Sequence, residues 1–326
     1  MRLHLKLEAL VVWLMVILVT VSCSQPDKNA RFKTQRSGFV QVDQAKLFYQ
    51  SFGTGTPIIV LHGGPGLDQT YLLPQMLTLA KDHEVIFYDQ RGSGKSLDTN
   101  MSPTYLNTVQ FVKDLEALRI QLGLNKVVLL GHSWGGFLAM NYAIAHPDHV
   151  SALILMNTGP ADYKGQQAFA VEFSKRTQPI KNEISALGNP SAFEQSSSAN
   201  ITKMYKVLFS VYFYNPKDES ELSLNMTEKS EKSGFKVLEV MNETSWMKPE
   251  INLYPQLEKL NVPTLIVHGK EDIIPLWTAE KIKAAIPGAQ MITLEECGHF
   301  SYIEKPDQVF SRIDLFLNDV SNNNAP

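Results

Sequence analysis

Val127-Val128-Leu129-Leu130-Gly131-His132-Ser133-Trp134-Gly135-Gly136-Phe137-Leu138-Ala139-Met140 is the stretch that decides the fold. Its first four residues read as a buried strand, the residues from Phe137 to Ala143 read as a helix, and the glycines between them mark a sharp turn. Gly131, Gly135 and Gly136 give that turn φ freedom and let the two backbones approach closely, so the Ser133 hydroxyl stands exposed above a sheet. This is the G-x-S-x-G form of a nucleophile elbow. A bare match arises by chance in glycine-rich βα turns; the strand before and the helix after give this one its weight.

An exposed serine is a poor nucleophile without a histidine base, a carboxylate to orient it and donors for an oxyanion. In folds built around such an elbow the acid and the histidine follow the serine, each in a loop at the C-terminal end of a late strand. Val262-Pro263-Thr264-Leu265-Ile266-Val267-His268 reads as such a strand, and Gly269 to Pro275 as the loop leaving it. Asp272 is the expected acid; Glu271 is adjacent, but the spacing after the strand and Pro275 favour Asp272. Gln290-Met291-Ile292-Thr293-Leu294 then runs into Glu295-Glu296-Cys297-Gly298-His299, which makes His299 the expected base. His132 and His268 read as hydrogen-bonded structural histidines, and His83, His146 and His149 as solvated residues flanking turns.

His62 opens His62-Gly63-Gly64-Pro65-Gly66 directly after the short apolar strand Pro57-Ile58-Ile59-Val60-Leu61. In this position a loop donates one backbone N–H to the oxyanion, and the residue after the nucleophile donates the other. Gly64 and Trp134 are therefore the expected donors. Asp89-Gln90-Arg91-Gly92-Ser93-Gly94-Lys95-Ser96 ends like a phosphate-binding loop, but Asp89 replaces the leading glycine and turn formers follow Ser96 where a helix would be needed.

In their order and spacing, His62 to Gly66, Asp89 to Ser96 and Gly131 to Gly136 resemble the proline iminopeptidase family of α/β-hydrolases. The resemblance extends to Asp272 and His299 and covers roughly residues 37–320. It implies an α/β-hydrolase fold, a mostly parallel twisted sheet with helices on both faces and an inserted helical cap. It also implies a Ser-His-Asp triad, an acyl-enzyme intermediate, and release of an N-terminal residue, often proline, from short peptides or amides. No cofactor or metal is expected.

Length and composition agree. A chain of 326 residues, 44% hydrophobic, can bury one large core, and its net charge of −3 with no basic, aromatic-interleaved run argues against nucleic acid as a partner. No protein partner is implied. Residues 1–23 read as a lipoprotein-type signal peptide: a basic start, a run from Ala9 to Val21 that is apolar except for Thr20, then Ser22-Cys23. Thr20 stands where such signals prefer leucine, so Ser22-Cys23 carries the reading. Lipidation at Cys23 would anchor the protein to a bacterial envelope membrane, with residues 24–37 as a flexible tether and the catalytic domain in water. Cys297 is then the one remaining cysteine and reads as a half-buried loop residue. The Asn-x-Thr sequons at Asn200, Asn225 and Asn242 carry no meaning in such a context.

Residues 38–159 and 256–320 are read as the two parts of the hydrolase core, 160–255 as the cap between them and 321–326 as a polar tail. Amphipathic stretches such as Thr202 to Val211 and Ser233 to Met241, and the absence of a core-type strand run, make the cap helical. Trp134 and some of Phe209 to Tyr214 are expected to line the pocket. In the family a cap glutamate after a Met-Asn pair and an acidic residue following the catalytic aspartate pair with the substrate ammonium. Met241-Asn242-Glu243 is a shortened version of the first, with Glu239 one turn earlier, while Ile273 follows Asp272. Glu243 and Glu239 are the expected amine-binding residues, and Ile273 leaves room for an ester or lactone substrate. Three functions follow: a serine aminopeptidase, an ester or lactone hydrolase on the same scaffold, or a non-catalytic binding protein.

Overall fold

The computed structural model describes residues 34–187, 198–224 and 227–323. Eight strands form a single sheet: β1 (Thr34–Val42), β2 (Ala45–Phe52), β3 (Thr56–Leu61), β4 (His83–Tyr88), β5 (Val127–His132), β6 (Val150–Met156), β7 (Thr264–Gly269) and β8 (Gln290–Leu294). Their order is β1-β2-β4-β3-β5-β6-β7-β8. The β1/β2 and β2/β4 pairs are antiparallel and every other pair is parallel. The inner strands are continuous apolar runs because both of their faces are covered. Along β3, Ile59 and Leu61 enter one core cluster while Ile58 and Val60 enter the other.

The chain leaves β3 for β4 on one side and returns to β5 on the other. Such a reversal opens a crevice at the carboxyl ends of the two central strands, where ligands of open α/β sheets bind. The His62 loop leaves β3 and Ser133 follows β5, so both stand at this crevice.

Between β6 and β7 the described residues form helices at Tyr163–Thr177, Lys181–Leu187, Ser198–Ser210 and Glu228–Met241, ending in a π turn at Asn242–Trp246. The Glu228–Met241 helix begins with a reciprocal cap: Ser230 N–H donates to Thr227 Oγ1 (3.2 Å), and Thr227 N–H donates to Ser230 Oγ (2.8 Å). A bridge between Asp162 and Asn252 closes the base of this insertion. The insertion rests on the core through Gly66 and Gly234, where a Cβ on either would lie 2.1 Å from the other's carbonyl oxygen.

Two boundaries differ from those read in the sequence. Residues 34–37, placed in the tether, belong to β1, where Arg36 and Ser37 pair with Ser51 and Gln50. Backbone ladders need no apolar side chains, so a polar edge strand carries little sequence signal. Residues 321–323, placed in the tail, continue the helix Pro306–Asn323. The leader 1–23, Cys23 and the tether up to residue 33 lie outside the described residues, among which no helix is long and apolar enough to cross a membrane.

Candidate active site

Ser133 is held in the left-handed half of backbone space, with φ 57° and ψ −125°. That conformation is costly for a non-glycine residue and persists only where the surroundings enforce it. Gly131, Gly135 and Gly136, expected to supply φ freedom, do not adopt positive φ. They supply proximity instead: a Cβ on Gly131 would lie 2.4 Å from Gly135 O, and one on Gly135 2.1 Å from Leu61 O. Ser133 sits at the N-cap of the helix Trp134–Ala145 but makes no side-chain capping bond, since its backbone is not extended as capping requires. Its hydroxyl is thereby left to the adjoining cavity, which Ser133 lines together with His299 and Gly64.

Asp272 Oδ1 lies 2.9 Å from His299 Nδ1 and accepts the Ile274 N–H at 2.9 Å. Asn157 Nδ2 donates to Asp272 Oδ2 at 2.8 Å, and His268 Nε2 stands 3.6 Å from the same oxygen. Burial alone would raise this carboxyl, but His299 and His268, with the hydrogen bonds from His299 and Ile274, overcome it and hold the pKa down at about 2. Glu271 faces elsewhere, accepting the Cys297 N–H at 3.1 Å. Asn157 escaped the sequence reading. It follows β6 with φ 46°, a conformation asparagine tolerates, and also binds Gly298 O (3.0 Å) and the Ser301 hydroxyl (2.6 Å).

The loop that carries His299 is tied to the insertion. His299 N–H donates to Tyr212 O at 2.8 Å. Glu304 accepts N–H groups from Gly298 (3.0 Å), Phe300 (3.3 Å) and Tyr214 (2.8 Å). Arg176 reaches the Asp272 carbonyl at 3.1 Å. Cys297, expected half-buried, is fully buried, and burial raises its thiol pKa.

Gly64 has φ 118°, and a Cβ on Gly63 would lie 2.9 Å from Ser133 Cβ, so the loop after β3 packs directly on the elbow. Trp134 is the first residue of its helix, where the N–H has no carbonyl one turn back to receive it. The Asp89–Ser96 stretch supports this loop. Gln90 N–H donates to His62 Nε2 (3.0 Å), Gln90 Nε2 donates to His62 O (2.7 Å), and Gln90 Oε1 accepts the Trp134 indole N–H (3.0 Å). Arg91 forms a two-pronged, fully buried pair with Asp114, both contacts at 2.6 Å.

The cavity holds roughly 280 Å³. Its walls are aromatic and aliphatic, among them Phe169, Phe173, Tyr205, Phe209, Tyr212 and Trp246. No carboxylate lines it among the described residues. Three expectations need correcting here. The Trp134 side chain is 1% exposed and packs on Phe111, Phe137 and Trp246 rather than lining the cavity. Glu239 faces outward, 59% exposed and paired with Lys236, and Glu243 is exposed as well. The reason is helical phase. Phe235, Leu238, Asn242 and Trp246 form one stripe toward the cavity, and the residue after each stripe position is turned by about 100°.

Residues 56–306 match the α/β hydrolase fold family. A proline iminopeptidase of Heyndrickxia coagulans is 30% identical over 298 residues, which cover 87% of this chain and 99% of that protein. Among solved structures, the proline iminopeptidase of Mycobacterium smegmatis superposes with a TM-score of 0.67 at 20% identity, over 89% of this chain and all of that one (100%). Est816, an N-acyl homoserine lactone degrading enzyme, superposes with a TM-score of 0.62 at 23% identity, over 86% and 100% of the two chains.

Proposed function

Because the chain belongs to the α/β-hydrolase family and is a hydrolase related to the proline iminopeptidases, we propose that it cleaves a small ester or amide whose acyl part is uncharged and apolar. Ser133 attacks the carbonyl carbon as His299 Nε2 takes the hydroxyl proton. Asp272, held ionised, fixes the imidazole through Nδ1 and stabilises the imidazolium that forms. The N–H groups of Gly64 and Trp134 receive the oxyanion. His299 returns the proton to the leaving alcohol or amine, and a water, deprotonated by the same imidazole, then releases the acid from Ser133.

The observation that carries the acyl preference is the cavity wall, which offers aromatic and aliphatic surface and, among the described residues, no carboxylate. A substrate ammonium in such a site would be desolvated without a counter-charge, which costs several kcal/mol. A second reading, an aminopeptidase acting on short peptides, is favoured by the full-length similarity to proline iminopeptidases.

A matched pair of substrates separates them. The reading expects kcat/KM for an apolar acyl arylester to exceed that for the α-amino analogue by about 30-fold or more, as 2 kcal/mol or more of unpaired burial implies. Proline arylamide turned over better than the acyl ester would hand the site to the aminopeptidase reading. Ser133→Ala should abolish fluorophosphonate labelling and all but a trace of turnover; a labelled variant would remove Ser133 from the nucleophile's role.

A further inference from the structure

A hydrogen-bonded chain that the reaction scheme above does not use runs along the wall of the cavity, which Tyr71 and His132 help to line. Gly63 N–H donates to Tyr71 Oη at 2.7 Å. Tyr71 Oη lies 2.8 Å from His132 Nδ1, and His132 Nε2 lies 3.0 Å from the carbonyl oxygen of His299. The chain thus touches the loop bearing Gly64, the residue before Ser133 and the backbone of His299.

One arrangement of protons satisfies every contact. A carbonyl can only accept, so His132 carries its proton on Nε2 and donates to His299 O. Burial lowers the His132 pKa to about 3, so the ring is neutral and Nδ1 is a bare acceptor. The Tyr71 hydroxyl therefore donates to Nδ1 while its lone pair takes the Gly63 N–H. Tyr71 is itself pinned, with its ring packed edge-on against His132 and Phe300 and its carbonyl reached by the Tyr302 hydroxyl at 3.3 Å.

We infer that Tyr71 is a positioning residue for the reaction, its hydroxyl holding the Gly63–Gly64 backbone in register with the loop that carries His299. The inference rests on Ser133 being the nucleophile. A phenyl ring at 71 would keep the shape but strand two buried polar groups, the Gly63 N–H and His132 Nδ1. Stranded groups move to find partners, and the movement is shared by the adjoining Gly64 N–H. Glutamine at 132 offers an oxygen to Tyr71 and an N–H to His299 O, so it can close the same chain; leucine cannot.

Steady-state kinetics and fluorophosphonate labelling on the full chain test this. In Tyr71→Phe, kcat should fall about 10- to 100-fold with KM little changed, because the lost alignment matters most as charge develops on the oxyanion. His132→Leu should lose as much and His132→Gln far less, with thermal melts reporting whether each variant is folded. An unchanged kcat in Tyr71→Phe, a loss confined to KM, or equal losses in His132→Gln and His132→Leu would overturn the inference. Failure of the wild-type Ser133 to label would instead overturn the nucleophile and the inference together, so the two failures are told apart by the unmutated protein.

Discussion

Asn157→Asp would exchange a single nitrogen for an oxygen and reverse the sense of the contact that Asp272 depends on. In the wild type, Nδ2 of Asn157 donates both to Asp272 Oδ2 at 2.8 Å and to Gly298 O at 3.0 Å, with both side chains buried. A hydrogen bond to an ionised acceptor contributes about 1.5–3 kcal/mol. The aspartate removes that donor, sets a second carboxyl against the first and leaves Gly298 O with only the weak Cys297 thiol contact at 3.7 Å. Two carboxyls at this separation cannot both ionise freely, so they hold a proton between them and titrate above the value of about 2 that Asp272 has now. Loss of 1.5–3 kcal/mol from the alignment of His299 corresponds to a fall in kcat/KM of about 10- to 100-fold. The acidic limb of the activity profile should also move to higher pH. Rates on an acyl arylester across about pH 5 to 8, with a thermal melt to establish folding, make the measurement. A folded Asn157→Asp protein with wild-type kcat/KM across that range would refute the claim that Asn157 sets the charge and aim of Asp272.

Acid should destabilise the fold through two buried histidines before Asp272 protonates. Burial lowers the pKa of His62 to about 4 and of His132 to about 3, both from 6.5. Their neutral forms belong to the folded state, so this stability is complete above the unfolded value and is lost as pH falls through it. By pH 5 the loss is about 2 kcal/mol per histidine. Asp272, lowered from 3.8 to about 2, adds to the loss only as pH falls below 3.8. Denaturant midpoints that stay level from about pH 7 to 5 would contradict this. Glu243→Gln and Glu239→Gln should leave kcat/KM within about twofold on both charged and uncharged substrates, because neither carboxylate faces the cavity. A selective loss on amine substrates would show that the insertion turns Glu243 inward when it binds them.

The inner strands were legible because burial on both faces leaves an unbroken apolar run, as in Ile58-Ile59-Val60-Leu61. The elbow was legible because close approach of two backbones demands glycine, although the strained φ belongs to Ser133 and not to those glycines. Asn157, Tyr71 and Gln90 were not legible, because each acts through a partner 28 to 115 residues or so away in the chain, or across a loop that only folding closes. The outward direction of Glu239 and Glu243 was within reach of the sequence. Phe235, Leu238, Asn242 and Trp246 recur at helical spacing, and following that stripe places both glutamates off it.

Tyr212 and Tyr214 give the insertion a second identity, as part of the scaffold beneath His299. Their backbone groups receive the His299 N–H and reach Glu304, while Arg176 holds the Asp272 carbonyl. Insertions of this kind invite transplantation, one pocket exchanged for another between related hydrolases. In this protein a graft cut at the ends of the insertion would carry away supports of both His299 and Asp272 along with the old walls. Residues 211–214 belong with the recipient, and so does Arg176. Redesign of the pocket can proceed instead at Phe169, Leu238 and Met247, whose side chains face the cavity without holding either loop.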